Sequence, residues 1–369
     1  MTARNDNQSR TPGRGGCSGD GTGWEELRAA ASPAPGRDHD GRSRRTGWAW
    51  THLLVGAAIL VALVWRLGTG PFQDAGRMLD AWSLAAAAGV AVPTTICCAW
   101  RWSLVARGLG VDVPLRAAVA GYYRSLFLNT VLPGGVLGDV NRAVRHGRQV
   151  GAPGRALRAV GWERCAGQAV QLALAVLVLL LFPSPVRSSM PALATAVVAG
   201  ALAAVLVGRA LRVRSASLGA RAMRAAGADV RGGLLSTRAW PGILVASTGA
   251  VAGHVVTFLV AARTAGSTAS LTLLLPLAMI VLLAMGVPAN IAGWGPREGV
   301  AAWAFAAAGM DARQGVTTAV VYGVMVLVAG LPGAGLVLAG WLARTGRARS
   351  AARLLRPPEA ASVEGAAHG

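Results

Sequence analysis

The sequence contains no lysine and has little charge of either sign. Only 14% of its 369 residues are charged, whereas soluble domains carry about 25% charged residues. All 36 basic residues are arginine, and with 16 acidic residues they give a formal net charge of +20. Arginine without lysine, beside abundant alanine, glycine and valine, is typical of a GC-rich genome. The net charge therefore does not indicate a nucleic-acid partner.

Cysteine, histidine and known catalytic motifs are also scarce. The four cysteines exclude a disulfide scaffold, and the adjacent pair Cys97–Cys98 lacks the spacing of metal ligands. The five histidines form no H-E-x-x-H motif, and the chain has no G-x-S-x-G motif or Walker loop. We therefore expect no metal, nucleotide or other cofactor.

Long apolar runs make up most of the chain. Hydrophobic residues form 53% of the sequence, and the mean hydropathy is +0.47. Several runs approach the roughly 20 residues that a helix needs to cross a bilayer. The sequence therefore predicts an all-α, polytopic integral membrane protein. We divide it into a disordered basic tail over residues 1–46, a membrane domain over 47–343 and a second polar basic tail over 344–369.

The distribution of arginine predicts the orientation of this domain. Twenty-nine of the 36 arginines fall in the two tails and in the segments 101–116, 138–164 and 209–238. Only five fall in the segments that would then lie outside. By the positive-inside rule, the tails and these three segments are cytoplasmic. We expect a multi-pass protein of the bacterial cytoplasmic membrane with both termini in the cytoplasm.

This orientation requires two apolar segments to turn back within the membrane. Residues 117–132 lie between two cytoplasmic segments, so they should enter the membrane and return at Pro133-Gly134. Residues 271–310 should form a second hairpin from the opposite face, because residues 299–310 are too short to cross. We predict six crossings plus two oppositely directed re-entrant hairpins, resembling an inverted repeat. Eight full crossings are the alternative.

The first hairpin carries glycines at its turn and a charged pair in the helix that follows. Asp139 is expected to cap this helix, and Arg142 shares its face three residues later. Free N–H groups at the helix start and the guanidinium fork of Arg142 suit a phosphate. The alternative is a purely structural pair. The residues assigned here to substrate binding are Asn129, Pro133, Gly134, Gly138, Asp139 and Arg142.

The second hairpin has a comparable arrangement. Pro296 suits the first position of a helix, which places Arg297 and Glu298 in its first turn. Charged residues at membrane depth are functional candidates, and the alternative is again a structural pair. The residues assigned here to substrate binding are Gly293, Gly295, Arg297 and Glu298.

Polar residues also interrupt other apolar spans. Glu163 and Arg164 open the span after the first motif, and we assign both to the substrate site. Their expected role is an ion pair that holds the motif's loop, and proton transfer by Glu163 is an alternative. His254 and Tyr322 are isolated in later spans and are expected to hydrogen-bond between helices.

On these motifs the chain resembles the transmembrane region of lysylphosphatidylglycerol synthases, over roughly residues 53–342. The first acidic position of that family is often Glu, and here it is Asp139. In the two-part synthases this region is understood as the flippase that moves an aminoacylated lipid, which a separate soluble domain makes. Residues 344–369 are too short for such a domain, so the synthase activity is not expected. The resemblance rests on the first motif, on Glu163-Arg164 and on Gly293, Gly295, Arg297, Glu298 and Gly299.

Three functional hypotheses follow. The first is a flippase for a phospholipid, an aminoacyl-phospholipid or a lipid-linked sugar, in which Arg142 and Arg297 hold the phosphate. Asp139, Glu163 and Glu298 would orient the arginines or carry a proton. The second is an integral-membrane transferase that acts on a lipid-linked donor. The third is an accessory subunit for a separate synthase. The expected partners are lipids with anionic headgroups and such a synthase, but not nucleic acid.

Overall fold

The described part of the chain is all-helical in the computed structural model. The structure describes residues 61–62, 64–132, 135–184, 226–234, 236–286 and 294–354. The apolar segment 190–207, most of the segment 48–65 and the two tails up to residue 46 and from residue 355 lie outside these residues, and so do Pro133, Gly134 and Gly293.

The first half contains one short helix, two long helices and a hairpin of two shorter helices between the long ones. In chain order the helices are α1 (Gly70–Met78), α2 (Ala81–Gly108), α3 (Leu115–Val131), α4 (Leu137–Gln149) and α5 (Pro153–Leu181). Helix α2 begins where Asp80 Oδ1 accepts a hydrogen bond of 2.9 Å from the Ser83 backbone N–H. It continues past Trp100, where the apolar run ends, because Arg101 is paired inside the protein. The segment 101–108 is therefore helix rather than a basic loop.

The second half repeats this order of helices. After a π-helical turn over Val230–Leu234 it contains α6 (Trp240–Thr264), α7 (Leu271–Ala284), α8 (Pro296–Ala307) and α9 (Ala312–Leu354). Proline occupies the first turn of α8, as predicted. A backbone N–H at this position makes no hydrogen bond within the helix, so proline costs the helix none.

Four described helices are long and apolar enough to cross a membrane. They are α2, α5, α6 and the part of α9 over Ala312–Ala343. These lengths and compositions identify a polytopic membrane protein. The number of crossings and the orientation stay predictions.

Helices α3 and α4 form an antiparallel hairpin. A Cβ atom at Gly138 would lie 2.2 Å from the Ser125 carbonyl oxygen, and one at Gly121 would lie 3.7 Å from Arg142 Cγ. The helices have 17 and 13 residues, and at 1.5 Å per residue they extend about 25 and 20 Å, less than the roughly 30 Å of a hydrocarbon core. Helices α7 and α8, with 14 and 12 residues, are shorter still and also pack on each other. These lengths support hairpins over full crossings.

The two halves make equivalent helix contacts. Helix α2 packs on α6 in antiparallel fashion, because Gly253 of α6 lies against Thr94 and Gly242 lies against Leu104. Helix α3 packs on α9 of the other half, and α7 packs on α5 in the same way. Exchanging α2–α5 with α6–α9 reproduces each of these pairs, which is the pattern of an inverted repeat.

Candidate functional site

A buried carboxylate, Glu163 of α5, joins two arginines from other helices. Its Oε1 accepts hydrogen bonds from Arg101 Nε (2.9 Å) and Nη2 (2.5 Å), and from Tyr122 Oη (3.1 Å). Its Oε2 accepts one from Arg142 Nη2 at 3.0 Å. The Glu163 side chain is fully buried. A fully buried carboxylate is tolerated only when oppositely charged groups hydrogen-bond to it. Through its two arginine partners, Glu163 joins α2, α4 and α5.

Asp139 of α4 forms the other half of this network. Its Oδ1 accepts hydrogen bonds from Arg142 Nη2 (2.9 Å) and Ser125 Oγ (3.1 Å). Its Oδ2 accepts one from Asn129 Nδ2 at 3.0 Å and pairs with Arg164 Nη2. Glu163 and Arg164 therefore hold the first motif as expected, although each pairs with a motif residue rather than with the other.

Asp139 does not cap its helix, contrary to the prediction. Helix α4 begins at Leu137, two residues earlier, and it has no side-chain cap. Asn129 of α3 takes part of this role, because its Oδ1 accepts a hydrogen bond of 2.8 Å from the Gly138 N–H. The close contact of Gly138 with Ser125 leaves no room for a Cβ atom.

Arg142 is enclosed by this network. Its Cζ lies 4.4 Å from the Trp102 ring centroid and 4.3 Å from that of Tyr122, and its side chain is 1% exposed. Its Nη2 bonds to the carboxylates of Asp139 and Glu163. Arg142 does not line the cavity between the two hairpins. Its predicted contact with a phosphate in that cavity has no support from this geometry.

The second motif forms a local pair. Arg297 donates to Glu298 Oε1 from Nε (2.9 Å) and Nη2 (2.5 Å), and Glu298 Oε2 accepts a hydrogen bond of 2.7 Å from the Gly295 N–H. The last bond is half of a capping box. Gly295 has a φ of 118°, in the left-handed region that glycine tolerates. The Arg297 guanidinium also lies close to Gly323 of α9, where a side chain would collide with it.

A central cavity of about 170 Å³ lies between the two hairpins. Among the described residues that line this cavity, the charged ones are Arg164 and Arg297. A second cavity of about 170 Å³ shares Arg164 with it and is also lined by Gln168 and Gln171. The other lining residues of the central cavity are Leu126, Asn129, Thr130, Gly135, His254, Ala284, Met285, Pro296, Tyr322 and Val326.

His254 and Tyr322 connect α6 and α9 at the wall of this cavity. His254 Nδ1 and Tyr322 Oη are 3.1 Å apart. The predicted hydrogen bond between helices is therefore confirmed.

The structure brings most of the predicted site residues into two clusters. The first contains Asn129, Gly138, Asp139, Arg142, Glu163 and Arg164, and the second contains Gly295, Arg297 and Glu298. Sequence reasoning missed Arg101, Trp102, Tyr122 and Ser125. The signal available for Arg101 was the lack of a helix-breaking residue before Gly108.

Comparison with known proteins agrees with this architecture. No curated protein and no solved structure matches the chain. A family model described as the lysylphosphatidylglycerol synthase TM region matches residues 50–333. The match covers most of the chain and includes both hairpins and the central cavity. The chain therefore belongs to the lysylphosphatidylglycerol synthase TM region family.

Proposed function

We propose that this protein moves a lipid with an anionic phosphate headgroup across the membrane, with the headgroup passing through the central cavity. The observation that carries the proposal is the charge of the cavity wall. Among the described residues that line it, the charged ones are Arg164 from the first half and Arg297 from the second. Family membership supports a role in lipid metabolism or transport.

The carboxylates that pair with these arginines lie behind the wall. Asp139 and Glu298 are 5% and 0% exposed and do not line the cavity. Arg164 is the more accessible cation, with 43% of its side chain exposed. Its Nε is buried without a hydrogen-bond partner among the described residues. An oxygen of a phosphate would satisfy this donor, since a guanidinium only donates hydrogen bonds.

Arg142 acts in this proposal as a positioning residue. It bonds to Asp139, and Asp139 in turn pairs with Arg164 at the cavity wall. Arg142 therefore fixes the carboxylate that orients Arg164. In this proposal Arg164, rather than Arg142, contacts the phosphate of the transported headgroup.

Movement of the headgroup would use the two hairpins as walls while the acyl chains stay in the lipid. Backbone that turns at membrane depth is tolerated where it is buried in protein or lines a wet cavity. Because the sequence contains no nucleotide-binding motif, we expect gradients of ions or lipids to provide the free energy.

A liposome assay with a fluorescent phosphatidylglycerol analogue tests the proposal. Arg164→Gln and Arg297→Gln should each slow translocation about tenfold per folded molecule, since loss of ~1.4 kcal/mol of binding is a factor of ten. Lysine at either position should restore only part of the rate, because an ammonium lacks the planar fork. Arg158→Gln is the matched control, because Arg158 lies on the same helix as Arg164 and pairs with Asp229 outside the cavity.

Three outcomes would distinguish the hypotheses. Normal translocation by the Arg164→Gln/Arg297→Gln double variant would refute the headgroup site. Chemical conversion of the lipid by the purified protein would instead support the transferase. Translocation that requires a co-purified enzyme would support the accessory subunit.

The proposed orientation is testable by labelling. In a background without cysteine, Ala152→Cys should resist an impermeant thiol reagent outside cells, whereas Thr268→Cys should react. Thr268 is exposed, whereas the neighbouring Ser267 is only 3% exposed and would react poorly. Labelling at position 152 from outside would overturn the re-entrant interpretation of the first hairpin.

A further inference from the structure

A further pocket, separate from the two cavities described above, lies between α2, α3 and α4. It has a volume of about 130 Å³ and shares no lining residue with the central cavity. Three of its lining residues are Trp102, Arg142 and His146. One water molecule needs roughly 10–15 Å³ of such volume, so the pocket has room for a group much larger than water.

Three residues that line this pocket carry buried hydrogen-bond donors that have no partner among the described residues. They are Trp102 Nε1, Arg142 Nε and Nη1, and His146 Nε2, which donates in one of its two tautomers. Trp102 and Arg142 are 3% and 4% exposed. Native proteins pair most of their buried polar groups, because an unpaired one loses its hydrogen bonds to water without replacement. An indole and a guanidinium donate but do not accept, so the missing partner is an acceptor.

The charge of the surrounding residues favours an anion. The ion-pair network that includes Arg142 contains three guanidinium groups, from Arg101, Arg142 and Arg164, but only the carboxylates of Asp139 and Glu163. These five described residues therefore carry one more positive than negative charge. None of the described residues that line the pocket is acidic.

The mouth of the pocket adds further positive charge. Asn141 and Arg145 line both the pocket and a wider groove of about 620 Å³, which Arg148 also lines. Arg145 and Arg148 are exposed. A cleft lined by one sign of charge concentrates ligands of the opposite sign.

We propose that this pocket binds a phosphate-type anion through Trp102 Nε1 and Arg142 Nε and Nη1. The anion is a phosphate or phosphate ester, supplied either by a lipid headgroup or by a soluble molecule. The site does not depend on the proposed transport, because it lies apart from the central cavity. Arg142 is the residue that connects the two, since its Nη2 holds the carboxylate that pairs with Arg164.

The test measures binding in the Arg297→Gln background, so that the central cavity is impaired. The first probe is inorganic phosphate, titrated against the purified full-length protein in neutral detergent at constant ionic strength, with chloride as the reference anion. The second probe is a nanodisc of phosphatidylglycerol, compared with one of phosphatidylcholine, with the retained lipid counted by native mass spectrometry.

Trp102→Phe is the critical variant, because it removes the indole donor and keeps an aromatic ring beside Arg142. It should weaken binding about fivefold to tenfold. Trp82→Phe is the matched control on the same helix, since Trp82 is 82% exposed and does not line the pocket. If Trp102→Phe does not fold, Ala120→Leu decides, because it fills the pocket and removes no donor.

Each result has a defined meaning. Binding of inorganic phosphate that depends on Trp102 identifies a soluble ligand, and retention of phosphatidylglycerol alone identifies a lipid headgroup. Equal binding by the Arg297→Gln parent and by its Trp102→Phe or Ala120→Leu derivative, with both probes, would overturn the proposal. Loss of transport in Arg297→Gln with phosphate binding retained would separate this site from the transport site.

Discussion

The two hairpins use an acidic residue at the same helical position in different ways. Asp139 and Glu298 are each the third residue of the second helix of their hairpin. Glu298 bonds within its own helix start, to the Gly295 N–H and to the adjacent Arg297. Asp139 bonds to side chains of α3, α4 and α5, among them that of Arg164. One acid therefore stabilises its own helix, whereas the other connects three.

Side-chain length explains this difference. The longer Glu298 side chain reaches back to the backbone of the residue before the helix, as in a capping box. The first hairpin is fixed to α5 by the buried pair Arg142–Glu163 and to α2 by the contact of Arg142 with the Trp102 ring. The second contacts α9 through Arg297, which lies beside Gly323. We expect the second hairpin to move against its surroundings at a lower free-energy cost than the first.

The largest effect should come from Glu163→Gln. This change leaves Arg101 and Arg142 buried with one carboxylate fewer, and breaking a buried pair costs about 3–5 kcal/mol. Thermal unfolding in detergent should show a large loss of stability. The control is Asp112→Asn, which breaks the ion pair of Asp112 with Arg107, in which the Asp112 side chain is 77% exposed. Loss of this pair should cost less than about 1 kcal/mol. Equal losses in the two variants would remove the basis for calling the first hairpin fixed.

Glycine substitutions compare the fit of the two hairpins. At Gly138 a new Cβ would meet the Ser125 backbone oxygen at 2.2 Å, and at Gly323 it would meet Arg297 Nη2 at 2.2 Å. Backbone cannot move away without opening the hairpin, so Gly138→Ala should cost about 3 kcal/mol. Gly323→Ala should cost less and slow lipid translocation, because the Arg297 side chain has to shift. Gly161→Ala, with nothing within 4 Å, is the control.

A double-mutant cycle tests whether each acid acts across helices. Asp139→Asn and Arg164→Gln should be coupled by about 1–2 kcal/mol, since the two side chains form an ion pair. Glu298→Gln and Arg164→Gln should be additive within about 0.5 kcal/mol. The free energies of unfolding of wild type, the three single variants and the two double variants give both values. Equal coupling in the two cycles would contradict the distinction between the hairpins.

The smallest effect should come from Tyr322→Phe. The substitution removes the hydrogen bond to His254 and keeps the ring, whose centroid lies 5.6 Å from Arg297 Cζ. The loss should be about 1 kcal/mol, measured as a small decrease in melting temperature. A loss as large as that of Glu163→Gln would show that this one hydrogen bond stabilises the protein as much as the buried network does.

Local signals in the sequence predicted the helices and their ends best. Pro296 and Glu298 marked the start of α8, and the four described span candidates follow the apolar runs. Such features depend on neighbouring residues alone. The start of α4 was predicted less well, because Gly138 accommodates α3 rather than ending a turn.

The buried network could be predicted only in part. The pair Asp139–Arg142 follows from helical spacing, since the two residues are three positions apart. The pair Arg101–Glu163 depends on the packing of α2 against α5, which spacing does not specify. Arginine counting placed Arg101 in a cytoplasmic segment. The carboxylate that allows it to lie buried among helices is distant in sequence.

That distance has a consequence for biosynthesis. Glu163 follows Arg101 by 62 positions. At about 5–20 residues per second, Glu163 is therefore synthesised about 3–12 s later than Arg101. During this interval the guanidinium of Arg101 lacks the carboxylate that neutralises it in the folded protein. We expect the end of α2 to wait at the membrane surface until α5 emerges from the ribosome, so that both helices enter their final positions as a pair.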